Sequence, residues 1–120
     1  MMEEKKTGIE RLIKAFFYSL SGLKATFKSE AAFRQEVLLT ACLVPVAAWV
    51  SETPKELLLL IGSLVLVMVV ELLNSAIESV VDRVGMEHHE LSGRAKDAAS
   101  AAVLVSILLA VACWLTVLFS

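Results

Sequence analysis

Cysteine is scarce in this chain, with two residues in 120, Cys42 and Cys113. Each sits inside an apolar run, where a small hydrophobic side chain suits packing and no disulfide framework is suggested. The two histidines, His88 and His89, stand side by side between Glu87 and Glu90. Adjacent imidazoles lack the spacing of a zinc-ligand set and argue against a dedicated zinc site. The phosphate-binding and catalytic motifs of soluble kinases are missing too: there is no GxxxxGK[ST] loop, no GxGxxG after a strand and no HRD-like loop. Any use of ATP must therefore run on another fold. No short apolar core with a small-residue cleavage site follows Met-Met-Glu-Glu-Lys-Lys, so no removed signal peptide is expected. Charge is absent from the far end, where no Lys, Arg, Asp or Glu follows Asp97.

What is abundant is apolar surface. Hydrophobic residues make up 58% of the chain and mean hydropathy is +0.75, against about 45–50% apolar usage in soluble domains. The composition is that of an integral membrane protein in one domain, residues 1–120. A net charge of -2 gives no reason to expect a nucleic-acid partner, and it hides an asymmetry. Of the 11 Lys and Arg, seven precede Val37, one lies between Ser51 and Glu56, and three lie between Asp82 and Asp97. By the positive-inside rule the N-terminus and the segment 82–97 are cytoplasmic. Three spans follow from that alternation.

Ahead of them, Ile9, Leu12, Ile13, Phe16, Phe17, Leu20, Leu23 and Phe27 recur at helical spacing within an arc of about 140°, with Arg11, Lys14, Tyr18 and Ser21 turned away. This pattern predicts an amphipathic helix over about 8–28 lying in the membrane surface. In the first span the uninterrupted apolar run Val37–Val50 reaches only about 21 Å of a hydrocarbon core near 30 Å. The helix must extend back through Arg34, Gln35 and Glu36 to about Glu30, giving a span of about 30–50. The second helix, 54–84, starts with Thr53 as N-cap, Pro54 at the first position and Glu56 in a capping box, and stops at Gly85. The third span is placed at about 97–119, where Ala98, Ala102, Ser106 and Ala110 form a small-residue seam. The polar run 82–97 is read as the connection between spans two and three.

Glu71, Asn74, Glu78 and Asp82 interrupt the second span at spacings of 3, 4 and 4. On a helix they fall within an arc of about 80°, one stripe on one face. If the helix enters the membrane at Leu57, Glu71 lies about 21 Å in, while Glu78 and Asp82 reach the cytoplasmic interface. A carboxylate at mid-bilayer depth costs roughly 2.5–3.5 kcal/mol, which makes Glu71 a functional candidate by default, whereas Asn74 alone would serve as helix glue. A carboxylate withdrawn from water is a better proton acceptor, which suits Glu71 as general base on a substrate arriving through lipid. Glu78 and Glu30, nearer the interface, suit a hard cation such as Mg2+ that keeps phosphates in its shell. A base in the lipid with a metal at the surface suits transfer of a polar group onto a lipid hydroxyl.

Three segments, Glu30-Ala-Ala-Phe-Arg-Gln-Glu36, Val69 through Glu78 to Arg83, and His89-Glu-Leu-Ser-Gly-Arg-Ala-Lys-Asp97, together resemble the bacterial integral-membrane diacylglycerol kinases. The resemblance covers nearly the whole chain. It implies an all-α homotrimeric bundle, each subunit having three transmembrane helices and an N-terminal surface helix, with active sites shared between subunits. The implied activity is transfer of the γ-phosphoryl group of MgATP to diacylglycerol at the cytoplasmic face of the inner membrane. It implies Glu71 as catalytic base supported by Asn74, and Glu30 and Glu78 as metal ligands that also meet ATP. Arg11, Tyr18, Glu87, His88, His89, Lys96 and Asp97 resemble nucleotide-contacting positions. Arg11, Ser19, Ala32, Phe33, Arg34, Gln35, Glu36, Trp49, Glu71 and Ser100 resemble positions along the lipid path. His88 replaces an aromatic residue and Ala98-Ala99 a Met-Gly pair, changes that leave the acidic stripe intact. Two other readings stand beside this one: an undecaprenol kinase of the same fold, and a small proton-coupled exporter, which usually has a fourth span and needs no second acidic position at the interface.

Overall fold

The computed structural model describes residues 7–85 and 89–120. Four α-helices account for nearly all of them: α1 Gly8–Ser29, α2 Ala31–Val50, α3 Pro54–Val84 and α4 Glu90–Leu118. Each start has a local cause. The Thr7 hydroxyl accepts the Glu10 N–H at 3.2 Å and caps α1. Thr53 accepts the Glu56 N–H at 3.1 Å and caps α3, with Pro54 in its first turn. The capping box predicted there closes differently. Glu56 Oε1 accepts from the Glu52 N–H at 2.8 Å, one residue before the cap, so the acid ties the turn and not the cap itself. At the other end of α3 the chain stops at Gly85 as predicted, but with an extended backbone (φ 173°) in place of a left-handed cap.

Helix α4 begins at Glu90, seven residues before the predicted span. His89 Nδ1 accepts the Leu91 N–H at 3.1 Å and acts as its N-cap. Leu91–Asp97 is thus helical, and the polar run between the two long helices is mostly the ends of those helices.

One residue joins α1 to α2. Glu30 is extended (φ -116°, ψ 108°), its N–H donating to Thr26 O at 2.9 Å and its carbonyl accepting from the Arg34 N–H at 3.1 Å. Arg34 then reaches back, its Nη1 donating to Phe27 O at 2.9 Å and Lys28 O at 2.8 Å. A cation on the carbonyls that end α1 satisfies their orphan acceptors and suits the negative end of the helix dipole. Glu30 makes no side-chain capping bond, which leaves its carboxylate free for other work.

The best-packed surface lies between α3 and α4. Leu60, Ser63, Leu64 and Val67 of α3 are buried with Ala99, Ser106 and Ala110 of α4. Both serines turn inward on their own helices, Ser63 Oγ donating to Leu60 O at 2.8 Å and Ser106 Oγ to Val103 O at 2.7 Å. With their hydroxyls satisfied locally, they act at the interface as small residues that let two backbones approach. The seam differs from the predicted one, because Ala98 and Ala102 are exposed and Ala99 is buried instead. A strict repeat of four drifts about 40° per step on a helix of 3.6 residues per turn, so Ala98 and Ala110 cannot face the same neighbour. Ser106→Leu is therefore expected to cost about 1–3 kcal/mol by overpacking, measured as reversible unfolding in a denaturing detergent; an unchanged midpoint would contradict the seam.

Helices α2, α3 and α4 are each long and apolar enough to cross a membrane. Many of their other large apolar side chains, such as Leu58, Val80 and Leu108, are exposed. No residue of α1 is buried, and Ile9, Leu12, Phe16 and Phe17 are all exposed. The whole is only 21 Å thick in its shortest direction.

Candidate active site

The face of α3 that packs the core is also the face that carries the acidic stripe. Leu60, Ser63, Leu64 and Val67 fall within about 100° of helix, and Glu71, Asn74, Glu78 and Asp82 continue along it toward the Gly85 end. Burial falls along the stripe. Glu71 is 9% exposed, Asn74 and Glu78 are half-buried, and Asp82 is exposed. One side of one helix thus runs from a dry interior to an open end.

Three elements meet at the stripe. The charges of Glu30, at the α1–α2 joint, and of Glu78 both bear on Glu71. Glu36 of α2 in turn feels the charge of Glu71. From α4, Lys96 Nζ lies 2.7 Å from Asp82 Oδ1 and is also acted on by Glu78. The Asn74 Oδ1 atom, one turn from Glu71, is buried and accepts no hydrogen bond from any described residue. A buried acceptor without a donor is costly unless something else supplies one.

Beside the stripe, between α1 and α3, opens a cleft of about 530 Å3. Its α1 wall carries Ser19, Gly22, Thr26 and Ser29, ending at Glu30, and its α3 wall carries Leu72, Ser75, Ala76 and Ser79. Ser75, Ser79, Gly22, Thr26 and Ser29 were not anticipated. Ser19, Gly22, Thr26 and Ser29 fall within about 80° on α1, next to its apolar arc, and that spacing is the signal that could have found them. A search confined to charge passes over it.

The other predicted positions are scattered. Arg11 and Tyr18 are exposed on α1, and Ser19 donates its hydroxyl to Ala15 O at 2.8 Å. Ala32 and Gln35 are exposed, whereas Phe33 is 2% exposed, a core side chain. Arg34 is engaged at the joint. Glu36 lines a second, largely apolar cavity of about 410 Å3 with Leu64, Val67 and Trp114. Trp49 is 85% exposed and stands about 28 Å along α2 from Glu30, so this chain does not bring it to the stripe. Asp97 and Ser100 are exposed on α4, and His89 spends Nδ1 on its cap. Glu87 and His88 lie outside the described residues.

Among the described residues no three His, Cys, Asp or Glu side chains converge tightly enough to hold a metal unaided. Oxygen donors at Glu30 and Glu78 suit a hard cation that takes one or two carboxylates and completes its shell from phosphates.

The sequence profile described as prokaryotic diacylglycerol kinase matches residues 17–118. The chain belongs to that family. It is 53% identical over 119 residues to the diacylglycerol kinase of Escherichia coli (strain K12), covering 99% of this chain and 98% of the relative. The diacylglycerol kinase of Haemophilus influenzae is 50% identical over 115 residues, 96% of this chain and 98% of its own. That of Pseudomonas aeruginosa is 48% identical over 113 residues, 94% and 92%. Residues 17–118 take in the joint at Glu30, the whole stripe, Lys96 and both walls of the cleft. Arg11 lies outside that match but within the nearly full-length likeness to the Escherichia coli kinase.

Proposed function

We propose that this chain transfers the γ-phosphoryl group of ATP to the hydroxyl of diacylglycerol, forming phosphatidic acid at the cytoplasmic face of a bacterial inner membrane. The observation that carries this reading is the burial gradient along α3. The phosphoryl donor is soluble in water and the acceptor in lipid, so the site must offer a group at each depth on one continuous face. Glu71, buried, takes the proton of the lipid hydroxyl; the hydroxyl oxygen attacks the γ-phosphorus as the bond to the β–γ bridging oxygen breaks, and ADP leaves. Asn74, one turn along the same face, supports the base: its side-chain amide N–H donates to the hydroxyl oxygen, whose single proton goes to Glu71. Glu30 and Glu78 would hold Mg2+, which would supply charge neutralisation on the phosphates, and Lys96 adds a further positive group, in keeping with the demands of phosphoryl transfer.

The apolar arc of α1, none of it buried in the single chain, lies in the membrane surface, and the basic residues of the N-terminal segment keep that end cytoplasmic. The cleft between α1 and α3 admits the glycerol end of the lipid against hydroxyl-bearing walls. Exposed small residues Ala98 and Ala102, together with a 21 Å thin molecule, suit packing against further copies in a homotrimer.

Purified protein in mixed micelles with radiolabelled ATP and Mg2+ is expected to label phosphatidic acid when diacylglycerol is supplied. Label in undecaprenyl phosphate alone, when the acceptor is undecaprenol, would keep the chemistry and replace the substrate. No label with either acceptor would overturn the proposal.

A further inference from the structure

The ion pair between Asp82 and Lys96 has no part in the roles assigned above, which use Lys96 but not its partner. It links the last turn of α3 to the second turn of α4, and its side chains are 56% and 41% exposed. An exposed pair adds little to stability, and α3 and α4 are already held by the buried seam. Its effect is on where one ammonium group sits. Lysine has a flexible four-carbon stem and three donors on a point charge. Glu78 lies one turn below Asp82 on the same face of α3, and its charge also acts on Lys96. Left alone beside Glu78, the ammonium would fall onto that carboxylate and occupy oxygens that Glu78 needs for a cation. With Asp82 holding one donor, two remain free at a point one turn nearer the water.

We propose that Asp82 is a positioning residue for phosphoryl transfer: it holds the Lys96 ammonium above Glu78, facing the phosphates of the bound nucleotide and clear of the carboxylate that takes the divalent ion. The inference rests on the assignment of Lys96 and Glu78 under Proposed function, and the test separates the two.

Asp82→Asn, Asp82→Glu, Lys96→Met and the double variant Asp82→Asn/Lys96→Met are compared in the full chain in mixed micelles. The readouts are KM for ATP, KM for diacylglycerol, kcat, and equilibrium binding of a radiolabelled non-hydrolysable ATP analogue with Mg2+. Asp82→Asn is expected to raise KM for ATP and the analogue Kd about three- to fivefold, the scale of an exposed ion pair, with KM for the lipid unchanged. Asp82→Glu is expected to restore most of the nucleotide affinity. In the Lys96→Met background Asp82→Asn is expected to add nothing, because the two act as one unit.

An unchanged analogue Kd in Asp82→Asn, tighter binding, or losses that add in the double variant would overturn the proposal. So would a parallel loss in KM for both substrates, the mark of a merely structural role. If Lys96→Met itself leaves analogue binding intact, the nucleotide assignment of Lys96 fails and the positioning role with it. If Lys96→Met weakens binding while Asp82→Asn is silent, only the positioning role fails.

Discussion

Glu71→Gln is expected to lower kcat for lipid phosphorylation by about 10²–10⁴-fold while the protein folds and inserts as before. Glutamine keeps the size and most of the hydrogen-bonding capacity of glutamate, but its amide cannot take up the hydroxyl proton. The energetics of the site make the result diagnostic. Glu71 is 9% exposed, and at the mid-bilayer depth its sequence position implies, a charged side chain costs about 2.5–3.5 kcal/mol on insertion scales. A neutral amide removes that cost, so resistance to unfolding by denaturing detergent should stay level or rise. A helix-gluing residue would behave otherwise, losing stability and activity together. The measurement is kcat at saturating ATP and diacylglycerol, paired with a detergent unfolding midpoint. Turnover within a few-fold of the parent would remove Glu71 as the base.

Glu78→Gln and Glu30→Gln should fail in a different manner. Each removes an oxygen ligand proposed for the divalent ion, and the Mg2+ concentration for half-maximal rate is expected to rise at least about tenfold, since even outer-shell partners of metal ligands matter on that scale. Excess Mg2+ should recover part of the rate in these variants and none of it in Glu71→Gln. The comparison requires ATP and lipid held saturating while Mg2+ is varied over several decades. A normal Mg2+ profile in Glu78→Gln would contradict its role as a ligand, and recovery of Glu71→Gln by Mg2+ would show that the base and the metal ligands had been exchanged.

Much of α3 can be read from its letters because each boundary has a local chemical cause. Thr53 and Pro54 open it, Gly85 follows its last turn, and the spacing of the four polar residues puts them on one face whatever the rest of the protein does. The start of α4 was less visible. Hydropathy reports contact with lipid and not helicity, so it ends the span near Asp97, whereas the polar turns Leu91–Asp97 are helical behind the His89 cap. The buried seam was misplaced for a geometric reason: a run of small residues at intervals of four is easy to see, but a straight helix turns away from it, and Ala99 takes the place of Ala98 and Ala102. The approach of Glu30 and Lys96 to the stripe depends on helix packing, which no spacing along the chain encodes. The hydroxyl-lined cleft escaped because its serines and threonine carry no charge to draw notice.

Glu30 is the whole of the connection between α1 and α2, and Arg34 ties down both carbonyls that precede Ser29 at the end of α1. A longer linker would absorb movement of α1; a single residue has two torsions and no slack. Helix α1 is 22 residues long, about 33 Å of lever. Raising or sinking its far end by about 3 Å turns the joint by about 5°, and the Glu30 carboxylate turns with it. With α1 lying in the bilayer surface and Glu30 holding the metal, as proposed, depth, curvature and headgroup crowding would act on the geometry of the phosphate end of the site, coupling the membrane mechanically to the enzyme that alters its lipids.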